Sequence, residues 1–167
     1  MKTVEKLREQ LKSPWPVLDC HVHPLNNFGF YAVETPEEDA EQLVESARRS
    51  GIVKMILFSL QHTTPREPSM AECREANDWA MAMTSAKPDV FLPFCYVNPM
   101  YPSESVEEID RCVGEGRMCG VKLWVARRAT DPGLDPIVDR AVALDVPLLQ
   151  HAWIKTTGNL EGESVAA

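Results

Sequence analysis

Two histidines stand two residues apart at the end of an alternating segment near the start of the chain. From residue 18 to residue 23, apolar and polar side chains alternate, which is the period-two pattern of a β-strand, and Pro24 then ends the strand. His21 and His23 should therefore share one face at its carboxyl end. Neutral imidazole is the commonest metal ligand in proteins. Core histidines, or half-exposed ones at a loop, would show the same short motif, so both interpretations stay open on these residues alone.

All four histidines of the chain lie at or just after the carboxyl end of a strand-like segment. His62 follows the apolar segment 53–60, and His151 lies near the end of the segment 146–153. In parallel α/β folds the chemistry gathers at the carboxyl ends of the strands. Purely structural histidines would be scattered over helices and amino-terminal loops as well, so the placement favours one shared site.

Lys122 lies between Val121 and Leu123 in another apolar segment. A buried lysine must lose its charge or find a partner, because desolvating an ammonium group costs several kcal/mol. Our first expectation is an ion pair, with Asp19 as the candidate partner. Two alternatives stay open: carboxylation by carbon dioxide, which would let the side chain bridge two metal ions, and a direct contact with substrate.

Five strand segments alternate with helical segments, which predicts parallel β/α units. A short helix is expected at 1–12, and the later strands are expected at 53–60, 90–97, 119–125 and 146–153, the third weakened by Pro93. Later helices should begin at the capping boxes 35–38, 69–72 and 105–108 and at Asp135. A five-stranded binding domain of the flavodoxin type would use the same elements, but no glycine-rich phosphate loop follows the first strand.

Composition narrows the classes of partner. A net charge of −8 argues against nucleic acid and against an anionic membrane surface. No apolar run reaches the roughly 18 residues that a transmembrane helix needs, and the first 13 residues are charged rather than signal-like. The five cysteines include no C-x-x-C pair, which is typical of reduced, buried thiols in a cytoplasmic protein.

Three motifs in order make the chain resemble the amidohydrolase superfamily, most closely its amidohydrolase-related (amidohydrolase type 2) branch. They are DCHVHP at 19–24, GVKLW at 120–124 and PLLQH at 147–151. AND at 76–78 and VNP at 97–99 add softer support. The resemblance covers the chain from residue 17 onward, with 1–16 as a leading helix and lead-in.

That resemblance implies a metal-dependent (β/α)8 TIM barrel. His21 and His23 would be the first-strand ligands and His151 the fifth-strand ligand, while Lys122 matches the position of the carboxylated lysine in dinuclear members. One or two divalent ions are implied, with Zn²⁺ the first expectation. Such an ion lowers the pKa of bound water from 15.7 to about 7 and polarises the scissile carbonyl.

The sequence departs from the family pattern in its extent. The family also uses a histidine after the sixth strand and an aspartate after the eighth, and we find no counterpart of either. Only about the first five β/α units are expected, with 17–167 forming a partial barrel. We therefore expect the N-terminal part of a longer enzyme.

The first expected reaction is hydrolysis of a C–N or C–O bond of a small organic molecule, such as an amide, a lactone or an ester. Non-oxidative decarboxylation of an aromatic or unsaturated carboxylic acid is the second, since the same branch hosts it. A truncated, non-catalytic metal-binding remnant is the alternative of another class. Family members commonly form dimers or larger assemblies, so a homo-oligomer is a further expectation.

Four side chains are candidate substrate contacts: Trp124, Trp153, His62 and Arg66. Each tryptophan could instead pack in the core. An exposed arginine in a proline-rich loop is usually only solvated.

Overall fold

A computed structural model describes residues 3–28, 32–59, 67–124 and 130–151. Its helices are α1 (Val4–Leu11), α2 (Pro36–Ser50), α3 (Met70–Ala86), α4 (Pro102–Ile109) and α5 (Asp135–Ala143). Its strands are β1 (Val17–Val22), β2 (Ile52–Phe58), β3 (Phe91–Val97), β4 (Val121–Leu123) and β5 (Leu148–Gln150). Short 3-10 helices lie at Leu25–Phe28 and Pro132–Leu134, and a π-helical turn at Asp110–Gly114 extends α4.

The five strands form one parallel sheet in the order β1-β2-β3-β4-β5. Because β/α crossovers are right-handed, a sheet that always adds its next strand on the same side keeps its helices on one face and curls toward a barrel. The expected (β/α) barrel architecture, present in part, is therefore confirmed. The flavodoxin-type alternative is wrong, because a doubly wound sheet must reverse its strand order near the first strand.

The expected N-terminal signal of α3 is confirmed, and that of α2 is confirmed in part. Ser69 and Glu72 form the full reciprocal capping box at the start of α3. In α2 the Thr35 hydroxyl accepts the Glu38 N–H at 3.2 Å. The Glu38 carboxylate, however, accepts the N–H of Glu34 at 3.0 Å and not that of Thr35, so this box is only half formed.

The expected start of α4 at Ser105 is wrong. The helix begins at Pro102, whose fixed φ suits the first helical turn. Ser105 lies buried inside the helix, and its hydroxyl donates to the carbonyl of Asn98 at 2.8 Å. The S-x-x-E spacing therefore serves to hold α4 against the end of β3 rather than to cap a helix.

One face of the sheet packs against the helices. Buried side chains of β2, β3 and β4 form a single core with α2 to α5, including Leu57, Val97, Leu123, Ile109 and Ile137. Pro93 lies inside β3 without breaking it, and its carbonyl accepts the Cys119 N–H at 2.9 Å. Since alternate residues point to opposite faces, Phe58, Phe94 and Lys122 lie on the other, concave face.

β1 is less buried than its apolar residues suggest. Leu18 is 50% exposed, because β1 lies at the edge of the described sheet and pairs with β2 alone. No helix in the described ranges is long and apolar enough to cross a membrane.

Candidate metal centre

The end of β1 presents the two histidines together. Their ring centroids lie 5.1 Å apart in an edge-to-face arrangement. Nδ1 of His23 lies 3.2 Å from the carbonyl oxygen of Phe58. Because a carbonyl can only accept, Nδ1 must carry the proton, which leaves Nε2 with its lone pair free for an ion. The backbone N–H of His21 donates to Oδ1 of Asp19 at 3.0 Å, which fixes the strand just before the pair.

Phe58, the last residue of β2, lies at the centre of the site. Its ring is 4.8 Å from that of His21, 6.0 Å from that of His23 and 5.4 Å from that of Phe94. Nζ of Lys122 lies 4.5 Å from its centroid. Reasoning from sequence missed this residue, although its position at the end of the second strand matches that of the histidines on the first.

Lys122 is fully buried, with 0% of its surface exposed. No described residue accepts a hydrogen bond from Nζ, and the contact with the Phe58 ring is a cation–π interaction. Burial lowers the pKa of the amine to about 8. The expected ion pair with Asp19 is wrong, because the Asp19 carboxylate lies beside its own strand, on the N–H of His21.

His151 directly follows β5, and its N–H donates to the carbonyl of Leu123 at 2.8 Å. Burial is the main reason why the pKa values of His21, His23 and His151 are all lowered, that of His23 to about 4. The charge of Lys122 lowers each of them further. The three imidazoles are therefore neutral near pH 7, which is the form that binds metals.

Comparison with known families agrees with this arrangement. A family model described as amidohydrolase matches residues 18–160. The chain belongs to the amidohydrolase family. A search of curated proteins finds no match.

Solved structures share the fold of this amidohydrolase chain. One is 2,6-dihydroxybenzoate decarboxylase from Rhizobium, with a TM-score of 0.63 and 20% identity over 83% of this chain and 50% of that one. Another is 5-carboxyvanillate decarboxylase from Novosphingobium aromaticivorans, complexed with manganese and 4-hydroxy-3-methoxy-5-nitrobenzoic acid (TM-score 0.59, 27% identity, 66% and 34% coverage). A third is 4-oxalomesaconate hydratase from Rhodopseudomonas palustris (0.60, 15%, 81% and 52%). The chain thus spans about half the length of these proteins, or less.

The donor set on the concave face of this amidohydrolase fits a divalent ion in its chemistry. The imidazoles are neutral, and His23 has its proton held on the nitrogen that faces the protein. Their ring nitrogens are not all within 4.8 Å of one another; among the described residues only one group of three ligand side chains is that compact.

That compact group is Cys95 on the helix-facing side of β3, Glu108 in α4 and Cys112 in the π-helical turn that extends α4. All three side chains are buried. The carboxylate of Glu108 already accepts five hydrogen bonds, which come from Arg74, Asn77, Arg111 and Cys112. Its lone pairs are therefore satisfied, and we assign the cluster to the packing of α3 against α4 rather than to an ion.

The remaining predicted site residues divide into two groups. Trp124 is half-buried and packs against the cluster of Cys73, Ala76 and Tyr96 beside β3. His62, Arg66 and Trp153 lie outside the described residues.

Proposed function

We propose that this chain is a metal-dependent hydrolase of the amidohydrolase type, which cleaves a C–N or C–O bond of a small molecule such as an amide, a lactone or an ester. One observation carries the proposal. The rings of His21 and His23 pack against that of Phe58, and the buried amine of Lys122 lies 4.5 Å from the centroid of the same ring. Burial and the charge of Lys122 lower the pKa values of these two histidines and of His151. Membership of the family supports the same chemistry.

His21, His23 and His151 would hold the ion. When bound, it would supply Lewis-acid polarisation of the scissile carbonyl and activation of water. The chain itself orients the ligands, because the Phe58 carbonyl fixes the tautomer of His23 and the Phe58 ring supports that of His21. Zn²⁺ is our first choice, and Mn²⁺ belongs in every test because one structural relative was complexed with manganese.

Lys122 has two roles open to it under this proposal. As a charged amine it would donate to a carbonyl or carboxylate oxygen of the substrate, since no described residue occupies its hydrogens. As a carboxylated lysine it would become an anionic ligand between two ions. Native mass spectrometry in bicarbonate buffer separates the roles, because carboxylation adds the mass of one carbon dioxide and is lost in Lys122→Met.

The second candidate reaction is decarboxylation of an aromatic or unsaturated acid. A buried amine without a described acceptor suits a substrate carboxylate. Two similar structures are those of decarboxylases of aromatic acids. A non-catalytic metal-binding remnant is the third candidate, and it predicts metal binding without turnover.

Metal content tests the ligand assignment. We expect the chain to bind Zn²⁺ or Mn²⁺ stoichiometrically, and His21→Ala, His23→Ala and His151→Ala each to lose most of that metal while keeping the fold by circular dichroism. Cys20→Ala is the matched control, because Cys20 is exposed on the same strand and alternates with the histidines. Full metal content in all three histidine variants would refute the assignment.

Product analysis then separates the reactions. Incubation with panels of lactones, amides and hydroxybenzoates should release acid if the chain is a hydrolase and carbon dioxide if it is a decarboxylase. Either activity should disappear with a chelator and return with metal. Among the variants Trp124→Ala, Trp153→Ala, His62→Ala and Arg66→Ala, those that raise KM more than they lower kcat would mark the substrate contacts.

A further inference from the structure

A buried carboxylate holds the segment that follows the histidine pair. Asp39 lies in the first turn of α2 and is 0% exposed. Oδ1 accepts the N–H of Leu25 at 2.8 Å, and Oδ2 accepts the N–H of Asn26 at 3.3 Å. Oδ2 also accepts Nε1–H of Trp79 from α3, at 3.1 Å. A single side chain thus joins three elements of the fold.

The two backbone contacts meet a local need of the chain. Leu25 and Asn26 open a 3-10 helix of four residues, and the first N–H groups of any helix lack an acceptor within it. Pro24, immediately before, is buried and has no N–H to donate. The direction in which the chain leaves β1 is therefore set by Asp39, from 13 and 14 residues further on.

Leu25 is only two residues beyond His23, so the position of one backbone constrains the other. His23 is half-buried, and Nδ1 of its ring donates to the carbonyl of Phe58 at 3.2 Å. A shift of the backbone at residue 25 would carry the His23 ring away from that carbonyl. The proton on Nδ1 would then no longer be fixed.

We propose that Asp39 is a positioning residue of the metal centre, which clamps the backbone at residues 25 and 26 and thereby holds His23 in the orientation and tautomer that bind an ion. Trp79 supports the clamp by fixing the carboxylate from the side of α3. This inference rests on the proposed metal-binding function.

A carboxylate that only stabilised the fold would show the same hydrogen bonds, so the test must separate stability from metal affinity. Asp39→Asn keeps the shape but replaces one acceptor oxygen with an amide that faces an N–H donor. Trp79→Phe removes the supporting hydrogen bond together with part of the ring, and leaves both backbone contacts of Asp39 in place. Glu108→Gln is the matched control, because Glu108 is equally buried and hydrogen-bonded, but the hydrogen bonds that the structure describes for its carboxylate go to α3 and to the turn after α4, and none to the segment that follows the histidines.

Binding of Mn²⁺ and Zn²⁺ to the whole chain would be measured by titration calorimetry at a temperature where all variants are folded. We expect Asp39→Asn to bind roughly tenfold more weakly, the lower end of the range for residues that orient a ligand, and Trp79→Phe to lie between it and the wild type. Glu108→Gln should lower the Tm without changing the Kd. Unchanged Kd in Asp39→Asn, or an equal loss in Glu108→Gln, would overturn the proposal.

A second measurement does not depend on metal. In the metal-free chain, ¹⁵N spectra of the histidine rings should show His23 protonated at Nδ1 in the wild type and in Glu108→Gln, and a mixture of tautomers in Asp39→Asn. An unchanged His23 spectrum in Asp39→Asn would refute the clamp. Absence of metal binding by the wild type, with the tautomers as expected, would refute the proposed function and leave the clamp standing.

Discussion

Gly120 is the position where one added methyl group should test the packing of the site most directly. A Cβ at residue 120 would lie 2.5 Å from Cε2 and Cζ of Phe94 and 2.7 Å from its Cδ2. Carbon atoms pack at 3.5–4.0 Å, so the ring would have to move by about 1 Å. Phe94 is 5% exposed and stands edge-on against the fully buried Phe58 at 5.4 Å. Because β3 lies between β2 and β4, a movement of the Phe94 ring away from residue 120 would push it against Phe58.

Overpacking of this kind costs about 1–3 kcal/mol. Because both the Phe94 ring and the Phe58 ring would have to shift, we expect Gly120→Ala to lower the free energy of unfolding by about 2 kcal/mol. Urea unfolding at pH 7 measures it as a lower midpoint with an unchanged slope. Gly114→Ala is the control, because a Cβ there meets its nearest atoms at 3.9 and 4.0 Å. It should change the unfolding free energy by less than about 0.5 kcal/mol.

A double-mutant cycle makes the reasoning refutable. Phe94→Leu removes the ring edge that the new methyl group would strike. Gly120→Ala should therefore cost at least about 1 kcal/mol less in the Phe94→Leu background than in the wild type, within the range of couplings between contacting residues. Strict additivity of the two substitutions would show that the contact with Phe94 is not the reason why residue 120 is glycine.

Three further predictions concern the metal-free chain. A pKa that falls from 10.5 to about 8 corresponds to roughly 3 kcal/mol lost while the amine is charged, so Lys122→Met should stabilise the chain at pH 7 by about that amount. The folded state loses this proton first, so the stability advantage of Lys122→Met over the wild type should shrink as the pH rises from 8 to 10.5. Buried thiols with raised pKa values act in the opposite sense in both proteins and cancel in this difference. The exposed control Lys54→Met should differ from the wild type by the same small amount at every pH. Burial raises the pKa of Glu108, but hydrogen bonds from its partners outweigh burial and hold the pKa below 4.5. The contribution of this carboxylate to the free energy of unfolding should therefore be complete above about pH 5 and should be lost as the pH falls below 4.5. Glu108→Gln should cost about 3 kcal/mol at pH 7, the low end for a buried pair because both arginine partners keep water contact. Gly51 has φ +76°, so Gly51→Ala should cost about 1 kcal/mol in thermal or urea unfolding.

The order of elements could be predicted because it depends on local patterns. Alternation, apolar runs and capping motifs located the strands and the helix starts to within a few residues. Ser105 shows the limit of such patterns, since S-x-x-E describes spacing alone. Whether its hydroxyl caps a helix or contacts a neighbouring strand depends on the position of Asn98, which directly follows β3.

The candidate site was predictable in its histidines and not in its surroundings. Topology alone brings the carboxyl ends of parallel strands together, so His21, His23 and His151 could be grouped from their positions. The roles of Phe58 and Asp39 could not be predicted, because apolar residues are common at strand ends and acidic residues are common in the first turn of a helix. The partner of Lys122 was predicted wrongly, because spacing says that two residues share an edge but gives no distance between them.

The sequential order of the strands implies that the proposed ion would also stabilise the sheet. Every strand contacts the one just before it in the chain, so the sheet can grow by successive local additions with little loss of loop entropy. The proposed ligands break this locality, since two come from the first strand and one from the end of the fifth. An ion held by all three would therefore link the earliest and the latest parts of the sheet to form. At a free concentration one hundred times its Kd it would add about 2.7 kcal/mol, and it would slow hydrogen exchange at β1 and β5 together, although they are not neighbours in the sheet.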